Sequence, residues 1–255
     1  MSTLSVIIIT HNEEAHIGPC LQSLTWVDEI VVMDAQSTDK TVEIAKSYTD
    51  QVFIEPWLGY SANKQMALTH CSGEWILWID ADERVTPELA EEIRNKINGP
   101  NRYKGYEIAR KAFFLGRWIK HCGWYPGYVL RLAQREMVQF SSHLVHEGMV
   151  VSGPIARLDN PLLHYTDTDL EHYLYKFNRY TSLAAEEALE RGRKIRLWQI
   201  LPRQWAMFLK IYFFKLGFLD GTEGLILCLL SSGYVAMKYA KIWELQNRKP
   251  VAKLH

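Results

Sequence analysis

Two aspartates separated by one residue follow an apolar run and are the first candidates for chemistry. Asp80 and Asp82 stand in the segment WIDADE, directly after the apolar stretch Trp75–Ile79. In an extended chain, side chains at positions i and i+2 point the same way, so both carboxylates can face one ion. Carboxylate oxygens suit Mg²⁺ or Mn²⁺, and such an ion can neutralise charge on a departing diphosphate. Taken alone, an acidic pair of this kind more often caps a helix or faces solvent, so its neighbours decide the interpretation.

Two further polar clusters follow apolar runs nearer the start of the chain. The segment THNEE contains Thr10, Asn12 and Glu13, and the segment DAQSTDKT begins at Asp34. Ligands of an open parallel sheet bind at the carboxyl ends of its strands, so we expect all three clusters to line one edge. The chain has neither a GxGxxG turn nor a Walker sequence, which argues against dinucleotide-binding and P-loop sites. The alternative for Asp34 and Asp39 is helix capping; we prefer ligand binding for Asp34 and capping for Asp39.

Short apolar runs that alternate with helical patterns must position these clusters. Such alternation is typical of βαβ units around a mostly parallel sheet and predicts the α/β class. Thr86 followed by Pro87 predicts a helix start, because a capping hydroxyl precedes a proline at the first helical position. The predicted strands are Ser5–Thr10, Glu29–Met33, Gln51–Glu55 and Trp75–Ile79, and the predicted helices are Glu14–Leu24, Thr38–Ser47, Tyr60–Thr69 and Thr86–Ile97.

Composition and charge narrow the class of protein. Hydrophobic residues make up 48% of the 255 residues, which is ordinary globular composition. Basic and acidic residues balance at 29 each, so we expect no nucleic-acid partner. The four cysteines are scattered without a CxxC pair, and the first residues lack a basic region followed by a long apolar run. Both features predict a cytoplasmic protein.

The second half differs in composition from the first. From Gly105 to Gly148, recurring aromatic residues and glycines suggest strands and loops built over the first sheet, and from about Thr168 the pattern is helical. We therefore expect an α/β domain over residues 1–165 and a helical, apolar region over residues 166–255. Two apolar segments of that region are each too short to span a bilayer.

Lysines and aromatic residues alternate in the helical region, as expected of helices that lie in a membrane interface. The alternative is that these helices pack on the first domain or on a partner subunit. The residues concerned are Lys210, Lys215, Lys238 and Lys241 with Trp205, Phe208, Phe213, Phe214, Tyr239 and Trp243.

The segments THNEE, DAQSTDKT and WIDADE resemble, in this order, motifs of the family 2 glycosyltransferases of GT-A fold. The resemblance implies a Rossmann-like, three-layer αβα domain that binds a nucleotide-sugar and an acceptor. It also implies site roles: Thr10, Asn12 and Glu13 lie near the nucleotide, Asp34 accepts hydrogen bonds from the base, Asp80 contacts the ribose or sugar, and Asp82 coordinates the metal.

Further segments carry a more particular resemblance. WYPGYVLRL, HLVHEG, LLHYTD and the closing stretch KLGFLDGTEGLILCLLSSGYVAMKYAKIWE are similar to bacterial lipopolysaccharide core-heptose β-1,4-glucosyltransferases and related lipooligosaccharide glucosyltransferases. This resemblance implies a metal-dependent hexosyltransferase that uses Mg²⁺ or Mn²⁺. It implies inverting transfer from a UDP-sugar, UDP-glucose above all, to a heptose of the lipopolysaccharide core. The expected location is the cytoplasmic face of the inner membrane, with peripheral attachment.

Inversion in one displacement needs a carboxylate that takes the proton of the acceptor hydroxyl. Glu147 in VHEG is our candidate, with an exposed loop acid as the alternative, and Glu83 is the second candidate. His164 is the preferred additional metal ligand over His146, although a lone histidine is often structural. Arg131 suits the diphosphate, and a strand-face salt bridge is its alternative.

Four aromatic residues cluster on the expected acceptor side. Trp118, Trp124, Tyr125 and Tyr128 either stack on acceptor sugars or pack among themselves.

The same fold could act on another acceptor, such as polyprenyl phosphate or a capsule sugar. A non-catalytic sugar-nucleotide-binding protein conflicts with the retained acidic residues. A nucleotidyltransferase would need a glycine-rich, basic triphosphate loop that THNEE does not provide.

Overall fold

The chain forms two compact units in a computed structural model, which describes residues 1–100, 102–140 and 149–247. The first unit contains Met1–Lys111 and Pro126–Thr166, and the second contains Ala112–Tyr125 and the chain from Asp167 onward. Residues 112–125 thus belong with the helical region rather than with the strands on either side of them.

Most strands of a mixed ten-stranded sheet belong to the first unit. Its strand order is β3-β2-β1-β4-β8-β6-β12-β5, and β7 and β11 pair with β6. The strands β1 to β4 are parallel to one another, as predicted, whereas β8 is antiparallel to both β4 and β6. The strands are β1 (Leu4–Thr10), β2 (Glu29–Asp34), β3 (Val52–Ile54), β4 (Trp75–Asp80), β5 (Glu83–Arg84), β6 (Gly105–Phe114), β7 (Arg117–Trp118), β8 (Gly127–Gln134), β9 (Val138–Phe140), β10 (Met149–Val151), β11 (Ile155–Arg157) and β12 (Leu162–Asp167).

The strands of the second half extend the first sheet, whereas the sequence suggested strands built over it. Strand β8 pairs with β4 from Trp75 opposite Gln134 to Leu77 opposite Leu132. This pairing satisfies backbone groups along the edge of β4 that would otherwise lack partners. Only β9 and β10 form a separate two-stranded sheet among the described residues.

Helices flank the sheet of the first unit, and each buries part of its surface. The predicted cap is present, since the Thr86 hydroxyl accepts a hydrogen bond from the Leu89 amide at 3.2 Å and Pro87 is the first helical residue. The first helix is shorter than predicted, because Glu13 to His16 form a turn before it. The helices are α1 (Ile17–Gln22), α2 (Thr41–Lys46), α3 (Tyr60–Thr69) and α4 (Pro87–Asn98).

The second unit is helical, with α5 (Leu170–Glu190), α6 (Ile200–Leu209) and α7 (Gly221–Asn247). A π-helical turn, Lys210–Phe214, follows α6. Tyr239 is buried, and the Lys241 ammonium donates hydrogen bonds to Asn178, Thr181 and Ser182 of α5. These two residues, expected at a membrane interface, therefore lie where α7 packs on α5.

One helical run, Gly217–Asn247, is long and apolar enough to cross a membrane by length and composition. The sequence suggested two shorter segments, whereas the structure continues the second of them through Lys238 and Lys241. A single run of this kind is weak support for a membrane span, because the core helix of a soluble protein meets the same criteria.

Candidate active site

Three predicted site residues end neighbouring strands of the first unit. Thr10 of β1 lies opposite Asp34 of β2, and Ile9 lies opposite Asp80 of β4. The parallel register therefore brings the carboxyl ends of β1, β2 and β4 to one edge of the sheet, which is where ligands of such sheets bind.

The loops after β1 and β2 hold each other by hydrogen bonds. The backbone amide of Asn12 donates a hydrogen bond to Ser37 Oγ at 2.8 Å, and the side-chain Oδ1 of Asn12 accepts one from the backbone amide of Thr38 at 2.8 Å. The Glu13 amide donates to Thr41 Oγ1 at 2.7 Å. Asn12 adopts a φ of 55°, a left-handed conformation that asparagine tolerates better than most residues. The first two loops thus form one cross-braced rim.

Asp34 is fully buried under this rim. Its Oδ1 accepts a hydrogen bond from the Ser37 amide at 2.8 Å, and its Oδ2 accepts one from Ser37 Oγ at 2.5 Å. In this structure the carboxylate therefore shapes its own loop. A nucleotide base that bonded to Asp34 would have to share these oxygens or displace Ser37.

Thr10 carries the opposite feature, a buried hydroxyl without a hydrogen-bond partner among the described residues. An unsatisfied buried hydroxyl costs free energy, so such a group is a candidate for bonding to a ligand.

Lys40 is the N-cap residue of α2 and makes no side-chain cap, and Asp39, one residue earlier, stabilises the turn that leads into the helix. Its carboxylate accepts from the Thr41 amide at 2.9 Å and from the Glu14 amide at 3.1 Å. Burial raises the pKa of Asp39, but these hydrogen bonds outweigh it and leave the pKa below its ordinary value.

Asp80 is engaged with two neighbours at the end of β4. Its Oδ2 lies 2.5 Å from Arg131 Nη2, and its Oδ1 accepts from Trp78 Nε1 at 3.1 Å. The carboxylate remains 38% exposed, whereas Arg131 is 1% exposed. Asp80 is therefore partly exposed at the edge of the sheet, and its ion pair with the buried Arg131 guanidinium fixes its position.

Glu83 forms the buried half of the same ion-pair cluster. It is fully buried, and its Oε1 lies 2.7 Å from Arg131 Nη2 while its Oε2 accepts from the Asp80 amide at 2.9 Å. Burial raises the pKa of Glu83 above its ordinary value, and the attraction of Arg131 opposes that rise. Arg131 thus makes the salt bridge that the sequence left as its alternative, with its guanidinium 4.0 Å from the centre of the Trp78 ring.

Backbone contacts brace the turn after β4 from two more sides. Arg84 Nη1 donates to the carbonyl oxygens of Ala81 at 3.0 Å and Glu83 at 2.8 Å. The Tyr165 amide donates to the Asp82 carbonyl at 2.9 Å. The turn that carries the acidic pair is therefore held before any ligand arrives.

Asp82 and His164 face each other across this turn. Asp82 Oδ2 lies 3.3 Å from His164 Nε2, and β12 places His164 opposite Glu83. Both side chains are mostly buried yet reach the surface. Among the described ranges, no three His, Cys, Asp or Glu side chains form a metal-binding group. Two protein ligands suffice for an ion whose other ligands are substrate phosphates and water, so this pair fits such an ion.

Comparison with known proteins decides the family. The sequence profile described as Glycosyl transferase family 2 matches residues 5–128. The lipopolysaccharide core biosynthesis glycosyltransferase LpsC of Rhizobium meliloti (strain 1021) is 33% identical over 253 residues, covering 94% of this chain and 92% of LpsC. An uncharacterized glycosyltransferase of Rickettsia typhi is 31% identical over 257 residues, covering 96% of this chain and 88% of that protein. The chain belongs to glycosyl transferase family 2.

Solved structures of two proteins are similar at lower identity. Staphylococcus aureus TarS, residues 1–349, gives a TM-score of 0.48 at 16% identity, covering 98% of the glycosyltransferase and 94% of that chain. Mycobacterium tuberculosis glucosyl-3-phosphoglycerate synthase, in complex with Mn²⁺, UDP and glucosyl-3-phosphoglycerate, gives 0.47 at 19% identity, covering 68% and 75%. The GT-A expectation is confirmed by the mixed sheet, in which β1 to β4 are parallel, together with its flanking helices.

Some site residues of this glycosyltransferase were not predicted, and two predicted residues lie outside the described part of the chain. Glu147, the first candidate for the catalytic base, and His146 fall outside the described residues. Trp78 and Lys64 were missed: the Lys64 ammonium lies 3.3 Å from the centre of the Trp78 ring. The period-two pattern of a strand could have indicated Trp78, because it precedes Asp80 by two residues on the same face. Nothing in the helical pattern singles out Lys64.

Proposed function

We propose that this glycosyltransferase moves a hexose, glucose from UDP-glucose, to a heptose of the lipopolysaccharide inner core with inversion at the anomeric carbon. The observation that carries the donor half is the edge at which Thr10, Asp34 and Asp80 end neighbouring strands beside Asp82 and His164. The similarity to LpsC over nearly the whole chain supports the lipopolysaccharide core as the acceptor.

The donor's nucleoside lies, in this proposal, against the rim formed by the loops after β1 and β2. The unsatisfied Thr10 hydroxyl supplies a hydrogen bond, and Asn12 and Glu13 shape the wall of the site. Asp34 reads the base after rearrangement of Ser37. Asp80, held by Arg131 and Trp78, accepts hydrogen bonds from the ribose or the sugar.

The diphosphate requires a positive partner, and Asp82 with His164 would hold it. A bound divalent ion, Mg²⁺ or Mn²⁺, supplies charge neutralisation for the departing diphosphate. Imidazole with carboxylate favours Mn²⁺ more than a purely oxygen site would. Asp82 is kept in place for this task by the Tyr165 amide on its carbonyl.

Glu83 and Arg131 have positioning roles in this proposal. Both oxygens of Glu83 are engaged inside the protein, so it is a poor choice for a base that must reach an acceptor hydroxyl. Arg131 is buried against Asp80 and Glu83 and fixes the acidic turn. Glu147 stays our proposal for the base that removes the hydroxyl proton, which a single inverting displacement needs.

The deciding experiment is mass spectrometry of heptose-terminated lipopolysaccharide after incubation with the protein and Mg²⁺ or Mn²⁺. Separate reactions contain UDP-glucose, UDP-galactose and other sugar donors. We expect one hexose increment with UDP-glucose that disappears with chelator. Asp82→Asn should lower turnover at least a hundredfold with unchanged thermal unfolding, whereas the matched control Asp50→Asn, an exposed aspartate before β3, should retain it. Full turnover in Asp82→Asn would remove the metal role.

The second unit carries an exposed apolar surface, which favours a lipid-linked acceptor held at a membrane. Exposed arginines and lysines (Arg196, Arg203, Lys210 and Lys215) alternate with large apolar side chains that include Trp198 at 67%, Trp205 at 62% and Phe214 at 83% exposure. Contiguous exposed apolar side chains with interspersed cations fit the interface of an anionic membrane. We therefore place the enzyme peripherally on the cytoplasmic face of the inner membrane. The same surface suits polyprenyl phosphate as an alternative acceptor, and the hexose increment on heptose distinguishes the two.

A further inference from the structure

A histidine and an aspartate far apart in the sequence form a close pair inside the second unit. His121 Nδ1 lies 2.9 Å from Asp220 Oδ1, and the Asp220 side chain is almost completely buried. Since an ionised carboxylate only accepts hydrogen bonds, the pairing places the proton of a neutral imidazole on Nδ1. The outer nitrogen, Nε2, is then an acceptor. Among the residues that the structure describes, none bonds to it.

The imidazole is not needed to anchor its own loop. Asp220 also accepts hydrogen bonds from the backbone amides of His121 at 2.8 Å and Lys120 at 3.2 Å. The amide of Cys122 donates to the Lys215 carbonyl at 3.0 Å. These backbone bonds hold the segment whatever side chain stands at position 121, so the bond from Asp220 to the ring chiefly fixes its tautomer and orientation.

Aromatic and charged side chains flank His121 in the same segment of the chain. The rings of Trp118 and Tyr125 meet edge to face at 5.4 Å, and both residues are half-buried. Lys120 is exposed, with its ammonium 5.9 Å from the centre of the Trp118 ring. The His121 side chain is 25% exposed. The segment therefore presents ring surface, a cation and a fixed hydrogen-bond acceptor within eight residues.

We propose that His121, oriented by Asp220, is the hydrogen-bonding centre of a saccharide-binding subsite on the second unit, with Trp118 and Tyr125 as its ring surface. A sugar offers hydroxyl donors beside apolar C–H faces, which match Nε2 and the aromatic rings respectively. The proposal rests on the proposed function, since the saccharide is the heptose-containing acceptor. His121 binds a hydroxyl of the acceptor in this subsite and takes no proton from it.

The variant His121→Asn tests the role of Nε2 separately from that of Nδ1, which bonds to Asp220. The asparagine amide can reach Asp220 in the manner of Nδ1 but has no atom in the place of Nε2. We expect the KM for heptose-terminated lipopolysaccharide to rise about three- to tenfold, the change for one lost neutral hydrogen bond. The KM for UDP-glucose, kcat and the thermal unfolding midpoint should stay within error. The control His172→Asn changes a histidine whose Nδ1 lies 4.0 Å from Asp167 Oδ1, and it should leave all four values unchanged.

An NMR titration of the wild-type protein tests the same contact without a variant, which matters if His121→Asn folds poorly. Wild-type protein with ¹⁵N-labelled histidine is titrated with the delipidated heptose-terminated oligosaccharide, and the Nε2 resonance of His121 should shift. Two outcomes refute the subsite alone, provided that the wild-type enzyme transfers hexose to this acceptor. The first is an acceptor KM of His121→Asn equal to that of the wild type, and the second is a His121 Nε2 resonance that does not shift in the titration. A wild-type enzyme that adds no hexose to this acceptor refutes the proposed acceptor, and the subsite with it. A fall in kcat at constant KM would overturn the binding role.

Discussion

Replacing Arg131 with methionine should destabilise the first unit by about 3–5 kcal/mol, the usual cost of removing one partner of a buried ion pair. The guanidinium lies 2.7 Å from Glu83 Oε1 and 2.5 Å from Asp80 Oδ2. Without it, the fully buried Glu83 carboxylate keeps only the Asp80 amide as a hydrogen-bond donor. Asp80 can hydrate because it is partly exposed, so the cost arises from Glu83. At 1.4 kcal/mol per tenfold, the folding equilibrium should fall by roughly a hundred- to several thousandfold.

Urea unfolding of three variants measures this effect. Arg131→Met alone should show the full loss, whereas the double variant Glu83→Leu with Arg131→Met should regain most of it, because neither buried charge remains. Arg135→Met is the matched control: this exposed arginine follows β8, and its loss should cost less than about 0.5 kcal/mol. A loss below about 1 kcal/mol in Arg131→Met, or no recovery in the double variant, would refute the reasoning.

Two further outcomes test other parts of the molecule. Burial raises the pKa of Glu29, but hydrogen bonds from Ser5, Gln51 and Ser72 outweigh it and leave the pKa below its usual 4.5. A carboxylate whose pKa is lowered by folding contributes stability above pH 4.5, and this stability is lost as the pH falls further. The urea midpoint of Glu29→Gln should therefore vary less with pH than that of the wild type between about pH 5 and pH 3. The exposed apolar surface of the second unit predicts flotation with vesicles containing phosphatidylglycerol, weakened by the double change Trp198→Ser and Trp205→Ser; equal flotation of this variant and the wild type would place the membrane contact elsewhere.

The sequence predicts well the edge of the sheet at which β1, β2 and β4 end, because local patterns determine it. Apolar runs of strand length, separated by helical patterns, identify β1 to β4, and parallel order brings their carboxyl ends together. Thr10, Asp34 and Asp80 therefore meet as expected. The hydrogen-bond partners of these side chains depend on the loops that follow each strand, so the capture of Asp34 by Ser37 was not predicted.

Contacts between distant segments could not be predicted in the same way. The i, i+2 argument for Asp80 and Asp82 holds only while the chain is extended, and β4 ends at Asp80. The turn that follows directs Asp80 to Arg131 and Asp82 to His164. Arg131 becomes the partner of Asp80 through a strand pairing that no local pattern specifies, whereas the sequence already predicts His164 as a metal ligand alongside Asp82. No local pattern indicates the pair of His121 and Asp220 either, because these residues lie 99 positions apart in the sequence.

The orientation of the cations around the acidic turn supports the proposed metal dependence. Arg131 is buried between Asp80 and Glu83, and Arg84 is directed to two carbonyl oxygens of the turn. Lys64 is buried over the Trp78 ring. Each of these cations is engaged with an inward partner, so none of the three is placed to receive the charge of a departing diphosphate. Under the proposed function, a divalent cation neutralises the diphosphate at this edge, and Asp82 with His164, whose Oδ2 and Nε2 lie 3.3 Å apart, would hold it. Transfer that persists at full rate in chelator would contradict this role of the pair.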